Sequence, residues 1–367
     1  MMRHKVIEKI RQLHVLNSAV KHAAAGDHPM DTPRHSKDPN YLLRGNPDFL
    51  EHDANGFRNT SVPHQADILT VGDSQVYGAC VRADQSWPFQ LQSMIEKTVY
   101  NGGMEGWGAV QYAMAAEDML SMSPSLLVIG VYTGNDIYES FLAAKQSSHP
   151  LAKSFWNSDY DGLILPDLSG KHASDAAVRK ARETTPDQPE GEVLERLSGR
   201  GVADCTRCEI EGSSFYLTED FRRVVQDHDH PAIQAGFSIA EKALSHIQSL
   251  ALSYGFGLQV VLIPTREYLV HSRMEDVRME NPDALNRLGE AEQKTLDRLK
   301  GFCGDKSIAC LDLSEHLTHY IGSRIYPQDS RDGHPNAKGC RIIANYLNAK
   351  LRPALMQAEE NGVYPLY

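Results

Sequence analysis

The sequence has no run of about eighteen apolar residues, so no segment is long enough to cross a bilayer as a helix. It has no excess of positive charge: 37 Lys and Arg stand against 48 Asp and Glu, a formal net charge of -11. A surface of that sign repels phosphate backbones, which argues against nucleic acid as a partner. Aromatic residues make up only 8% of the chain and the mean hydropathy is -0.42, so the composition does not point to a long-chain lipid ligand. Cysteine is sparse, with six scattered residues (Cys80, Cys205, Cys208, Cys303, Cys310, Cys340). Only Cys205-Thr-Arg-Cys208 has a suggestive spacing. Without a second CxxC or a paired His cluster, it reads as two thiols in a surface insertion rather than a zinc site. Asp227-His228-Asp229-His230 reads as a solvated loop, because adjacent residues project in different directions. No metal and no cofactor are therefore expected. The apolar core of a secretory signal is also lacking, which makes the cytoplasm the expected compartment.

The N-terminus does carry a basic segment (Arg3, Lys5, Lys9, Arg11) in which Val6, Ile10, Leu13 and Val20 recur at roughly helical spacing. Such a stripe packs on its parent domain or, less commonly, lies on a membrane surface; weak surface contact through residues 1–20 is the alternative. Residues 1–60 read as an N-terminal extension, 61–350 as the main domain and 351–367 as a tail.

Within the main domain, strand-like runs alternate with helical segments. The runs are Ile68-Leu69-Thr70-Val71, Thr98-Val99-Tyr100, Leu126 to Val131, Leu258 to Ile263 and Ile308 to Asp312. Five strands separated by helices predict a parallel sheet with helices on both faces. Such a sheet binds ligands beyond the carboxyl ends of its strands. Residues 145–230 interrupt the alternation. They are polar, rich in Pro, Gly, Ser and Asp, and read as an insertion with the character of a flexible lid.

Four groups of residues follow four of these strands. Gly72-Asp73-Ser74 comes after the first, and the glycine-rich Asn101-Gly102-Gly103-Met104-Glu105-Gly106-Trp107-Gly108 after the second. Thr133-Gly134-Asn135-Asp136 comes after the third, and Asp332-Gly333-His334-Pro335-Asn336 after the fifth. The sheet would gather them at one edge. A serine hydroxyl needs an imidazole to take its proton, the imidazole needs a carboxylate to fix its tautomer, and a developing oxyanion needs donors. One candidate for each role is present.

In this order the four blocks resemble those of the SGNH hydrolases, also called GDSL esterases and lipases, over roughly residues 55–350. The resemblance implies a three-layer α/β/α sandwich with a five-stranded parallel sheet, of flavodoxin-like type. It implies Ser74 as nucleophile, His334 as base and Asp332 as orienting acid. It also implies oxyanion donors from the Ser74 and Gly106 backbone and the Asn135 side chain. Many members place the acid three residues before the histidine, but that position is Arg331 here. The two-residue spacing is similar to the alginate O-acetyltransferase branch and related exopolysaccharide-locus proteins, and Asp329 is the fallback acid. Asn55-Gly56-Phe57-Arg58 and Val261 to Glu267 also resemble segments of that branch. Trp107, Tyr132 and Arg266 are candidate substrate contacts, with Glu267 at the same edge. The expected activity is hydrolysis of a small or carbohydrate-borne carboxylic ester. The alternatives are acyl transfer to a polysaccharide hydroxyl and non-catalytic carbohydrate binding.

Overall fold

The computed structural model describes residues 32–203, 205–280 and 282–361, with only the backbone described at 170 and 357–361. The basic segment at residues 1–20 lies outside the described residues. In chain order the strands are His35–Asp38 (β1), Leu42–Gly45 (β2), Ile68–Gly72 (β3), Val99–Gly103 (β4), Leu126–Tyr132 (β5), Thr206–Ile210 (β6), Ser213–Leu217 (β7), Gly257–Ile263 (β8), Val277–Met279 (β9) and Ala309–Asp312 (β10).

The five expected strands form one parallel sheet, ordered β10-β8-β5-β3-β4. All seven residues of β5 are buried, as an uninterrupted apolar run in the middle of a parallel sheet must be. Alternate side chains feed two cores. Leu69, Val71, Leu127, Ile129, Val260 and Leu262 pack with the helices Ala109–Asp118, Asp136–Gln146 and Pro231–Tyr254. Ile68, Val128, Val261 and Ile263 face the opposite way, onto Trp87–Ile95 and Ala337–Asn361. This is the three-layer α/β/α arrangement. Because the chain runs from β3 out to β4 and back across to β5, the direction of winding reverses between β3 and β5. Crossovers there leave in opposite directions and open a crevice at the carboxyl edge.

Two expectations are corrected. The stretch before residue 60 is not a separate extension from residue 32 onward. The β1–β2 hairpin and the loop after it wrap the main core: Tyr41 and Phe57 are buried in it, and the Trp107 indole donates to Leu43 O at 2.8 Å. The polar segment 145–230 is not a bare loop. It contains the helices Ser169–Thr184, Glu190–Ser198 and Glu219–Val225 and the antiparallel pair β6–β7. A second sheet, β7-β6-β9, joins it to the chain after β8. Backbone bonds from Tyr216 N to Ser330 O (3.1 Å) and Asp329 N to Ser214 O (2.9 Å) join it to the loop before His334. Among the described residues, no helix is long and apolar enough to cross a membrane.

Candidate active site

The turn after β3 is built around missing side chains. A Cβ on Gly72 would sit 2.2 Å from Val76 Cγ2 and 2.7 Å from Gly130 O, so only glycine lets the turn close on the neighbouring strand. Buried Asp73 accepts from Gln75 N at 2.8 Å and caps the short helix Ser74–Tyr77. Ser74 therefore opens that helix at the carboxyl edge of the sheet. Arg58, from the wrapping N-terminal loop, donates to the carbonyls of Gly78 and of Val81 (2.6 Å for the latter) and holds the far side of the same helix.

The fold brings His334 to Ser74 across 260 positions of sequence, with Nε2 at 2.8 Å from Oγ. His334 Nδ1 lies 2.6 Å from Asp332 Oδ1, which also accepts the His334 backbone N–H at 2.9 Å. Burial would push the Asp332 carboxyl up, but its bonds from His334 outweigh that and hold it down at about 2. Burial likewise works to lower the imidazole pKa, and Asp332 more than compensates, leaving His334 above its ordinary value. With Asp332 ionised, Nδ1 carries the proton and Nε2 is the acceptor. Asp329, the fallback acid, is instead bonded to Ser214 Oγ at 2.7 Å and to Arg207.

Asn135, at the start of the helix Asp136–Gln146, lines the same cleft as Ser74 and His334. Its side chain is hydrogen-bonded to the Glu139 carboxyl, which burial pushes up to about 7 against the pull of that bond. Gly106 lies in the turn after β4 with φ 72°, a conformation suited to glycine. Tyr132 also lines the cleft, but its hydroxyl is taken by Arg222 at 2.6 Å.

Two candidate substrate contacts are not at the surface. Trp107 is fully buried, stacked on Tyr41 at a centroid distance of 4.9 Å, so its ring is core and not a sugar platform. Arg266 is also fully buried and donates to the backbone carbonyls of Tyr216, Ser330, Arg331 and Asp332. Its donors are taken up largely by the loop that carries Asp332.

Several site residues went unrecognised in the sequence. Cys80 lines the cleft and its thiol bonds to Asp332; burial and that carboxylate push it up to about 12, so it stays a thiol. Glu292, on a helix charged enough to read as solvated, is buried and accepts from Thr133 Oγ1 (2.5 Å), Thr265 N (2.7 Å) and Gln226 Nε2 (3.2 Å). It ties the ends of β5 and β8 together. The insertion supplies one wall of the cleft through Lys171, Asp175, Arg182, Glu190 and Phe221. Lys171 and Arg331 both pair with Asp175 (2.8 and 2.9 Å), and Arg182 pairs with Glu190 (3.2 Å). The cleft encloses about 800 Å³.

The metal-like spacings have other uses. Cys205 and Cys208 are both buried in apolar clusters. His228 Nε2 lies 2.9 Å from Thr295 Oγ1 and His230 caps the helix Pro231–Tyr254, so the half-buried histidines pack and cap, while Asp227 and Asp229 are exposed as expected. Among the described residues no three His, Cys, Asp or Glu side chains form a metal-binding group.

No family model matches the chain, and no curated protein matches it at a significant level. Solved structures that resemble it include an acetyl xylan esterase, at 12% identity, covering 77% of this chain and 98% of the other, with a TM-score of 0.37. Another is a GDSL-like lipase from Bacteroides thetaiotaomicron, at 11% identity, 79% and 88% coverage and a TM-score of 0.35. A third is an acetyl xylan esterase from the rumen bacterium Butyrivibrio proteoclasticus, at 11% identity, 80% and 66% coverage and a TM-score of 0.34. Likeness at this level assigns neither family nor activity, so function is read from the geometry of the site.

Proposed function

We propose that the chain is a serine esterase of the SGNH type that cleaves a carboxylic ester through an acyl-serine. The observation that carries this reading is the unbroken chain Ser74 Oγ, His334 Nε2, His334 Nδ1, Asp332 Oδ1, with steps of 2.8 and 2.6 Å, on the floor of an accessible cleft. A binding module has no use for a nucleophile, base and orienting acid in that relation. His334 Nε2 takes the Ser74 proton as Oγ attacks the ester carbonyl carbon. The oxyanion is held by the Asn135 amide with the Ser74 and Gly106 N–H groups; each donor of this kind typically contributes about 3 to 4 kcal/mol. The imidazolium returns its proton to the departing alkoxide, and the alcohol leaves. Water, deprotonated by the same nitrogen, then attacks the acyl-serine and releases the acid.

The substrate is a short acyl ester on a polar alcohol, with a carbohydrate ester as the best fit. The cleft wall of paired Lys, Arg, Asp and Glu side chains supports this, since such groups hydrogen-bond the hydroxyls of a polar alcohol, while Leu168 and Phe221 leave room for a small acyl group beside them. One observation favours a second reading, transfer of the acyl group to a sugar hydroxyl. At about 800 Å³ the cleft is far larger than an acetyl group needs and leaves room for an acceptor alcohol. Release of p-nitrophenol from its acetate should be abolished by Ser74→Ala and by His334→Ala. Adding oligosaccharide acceptors then separates transfer from hydrolysis. A folded wild type with no turnover and no labelling of Ser74 by a fluorophosphonate would sink the enzyme reading.

A further inference from the structure

Two buried arginines hold the two halves of the candidate site by their backbone carbonyls. Arg222, from the insertion, donates to Gly134 O at 3.1 Å and to the Tyr132 hydroxyl at 2.6 Å. Gly134 directly precedes Asn135, and a Cβ on it would lie 2.3 Å from Arg222 Nη1, so its glycine is what lets the guanidinium reach the backbone there. Arg266 donates to Ser330 O at 3.1 Å and Asp332 O at 2.9 Å, and thereby holds the loop that carries Asp332 and His334. Between the two lies Glu267, 1% exposed, with Oε2 3.7 Å from Arg222 Nε and Oε1 3.9 Å from Arg266 Nη2.

A buried ion cluster of this kind is a poor source of stability, because desolvating the charges offsets most of their attraction. What a guanidinium does well is span several acceptors at once with donors fixed in one plane. That is how both arginines are used. Burial works to raise the Glu267 pKa, and the two guanidiniums more than offset it, so the bridging carboxylate stays ionised.

We propose that Arg222 and Arg266 are positioning residues, Arg222 for the Asn135 donor and Arg266 for the Asp332–His334 pair, with Glu267 keeping the two in register. The proposal rests on the esterase reading above. An oxyanion donor acts only within a few tenths of an ångström of its place, so a loosened Gly134 carbonyl would be felt in the chemical step and not in substrate binding.

The test is a double-mutant cycle on the full chain, read by p-nitrophenyl acetate kinetics and by the rate of Ser74 labelling with a fluorophosphonate. Arg222→Lys keeps the charge and loses the fork. It is expected to lower kcat about 10- to 100-fold with KM changed less than about 3-fold. In an Asn135→Ala background the same substitution should cost less than about 3-fold, because the group it positions is gone. Tyr132→Phe, which removes one anchor of Arg222 and keeps the ring, is the milder second variant. It should lower kcat about 3- to 10-fold and lose that effect in Asn135→Ala. Arg266→Lys should cost the same in both backgrounds and move the acid limb of the pH profile down. Glu267→Gln should show both signatures. Losses from Arg222→Lys and Tyr132→Phe that persist undiminished in Asn135→Ala, or that fall on KM, overturn the proposal and leave the esterase reading standing. A wild type inert to ester and fluorophosphonate alike overturns both.

Discussion

Ser74 has one hydroxyl proton and two acceptors within reach, His334 Nε2 at 2.8 Å and Asp73 Oδ2 at 3.1 Å. Which acceptor it uses depends on the imidazole. When His334 is neutral, Nε2 accepts and the hydroxyl is activated. When His334 is protonated, Nε2 donates to Oγ and the hydroxyl turns to Asp73. Because the His334 pKa is raised, the inactive arrangement persists to a higher pH than an unperturbed imidazole would allow. kcat/KM is therefore expected to rise with pH through a midpoint above about 6.5. Asp332→Asn removes the partner that raises it. The midpoint should fall, and the plateau rate should drop by about three to four orders of magnitude as the tautomer is lost. A wild-type midpoint below 6.5, measured by pH–rate profiles, would contradict this account. Trp107 makes the opposite case. Trp107→Phe loses the bond to Leu43 O, worth about 1 kcal/mol, and is expected to lower the melting temperature while leaving KM unchanged, since the ring does not reach the cleft.

At the scale of elements, the turn that carries Ser74 depends on β3 and β5 running close together, with Gly72 opposite Gly130 and Val76 seated over both. Gly72→Ala would drive a methyl group into Val76 and the Gly130 carbonyl. Overpacking of this kind costs typically about 1 to 3 kcal/mol, and Val76→Ala in the same chain should return only part of it, because the carbonyl remains. Chemical denaturation of the single and double variants checks this. The insertion invites a different measurement. Lys171 lines the cleft wall and pairs with Asp175 at 2.8 Å. Lys171→Ala is expected to raise KM for acetylated oligosaccharides by about 3- to 10-fold with kcat little changed, the pattern of lost uniform binding. p-Nitrophenyl acetate, which lacks the sugar hydroxyls that Lys171 would bind, should show a much smaller change in KM.

For the whole molecule, the strand order places the winding reversal between β3 and β5, and the residues that follow these two strands, Ser74 and Asn135, line one cleft. The loop after β10 then closes on them with His334. The proposed short-acyl preference rests on the charged pairs along one wall of the cleft. kcat/KM across p-nitrophenyl acetate, butyrate and octanoate is expected to fall with chain length, and a rise toward octanoate would overturn the short-acyl proposal.

The sheet was legible because its evidence is local. A run such as Leu126–Tyr132 has few other uses, and alternation with helices leaves few topologies. The order of Ser74, Asn135, Asp332 and His334 along the chain was legible for the same reason: each follows a strand, and parallel strands end on one side. Whether Trp107 and Arg266 face the cleft or the core was not, since both positions are near the catalytic edge in sequence and only packing decides where a side chain points. Arg222 lies in Phe221-Arg222-Arg223-Val224, which looks like a solvated helix face, and its burial depends on contacts 88 and 90 residues away. What favours Asp332 over Asp329 is its distance of 2.6 Å from His334 Nδ1, which spacing does not give. Local pattern thus determined the layers and the edge on which the chemistry gathers. Long-range contacts alone decided which charges serve the cleft and which hold its walls in place, because a buried charge is explained only by its partners.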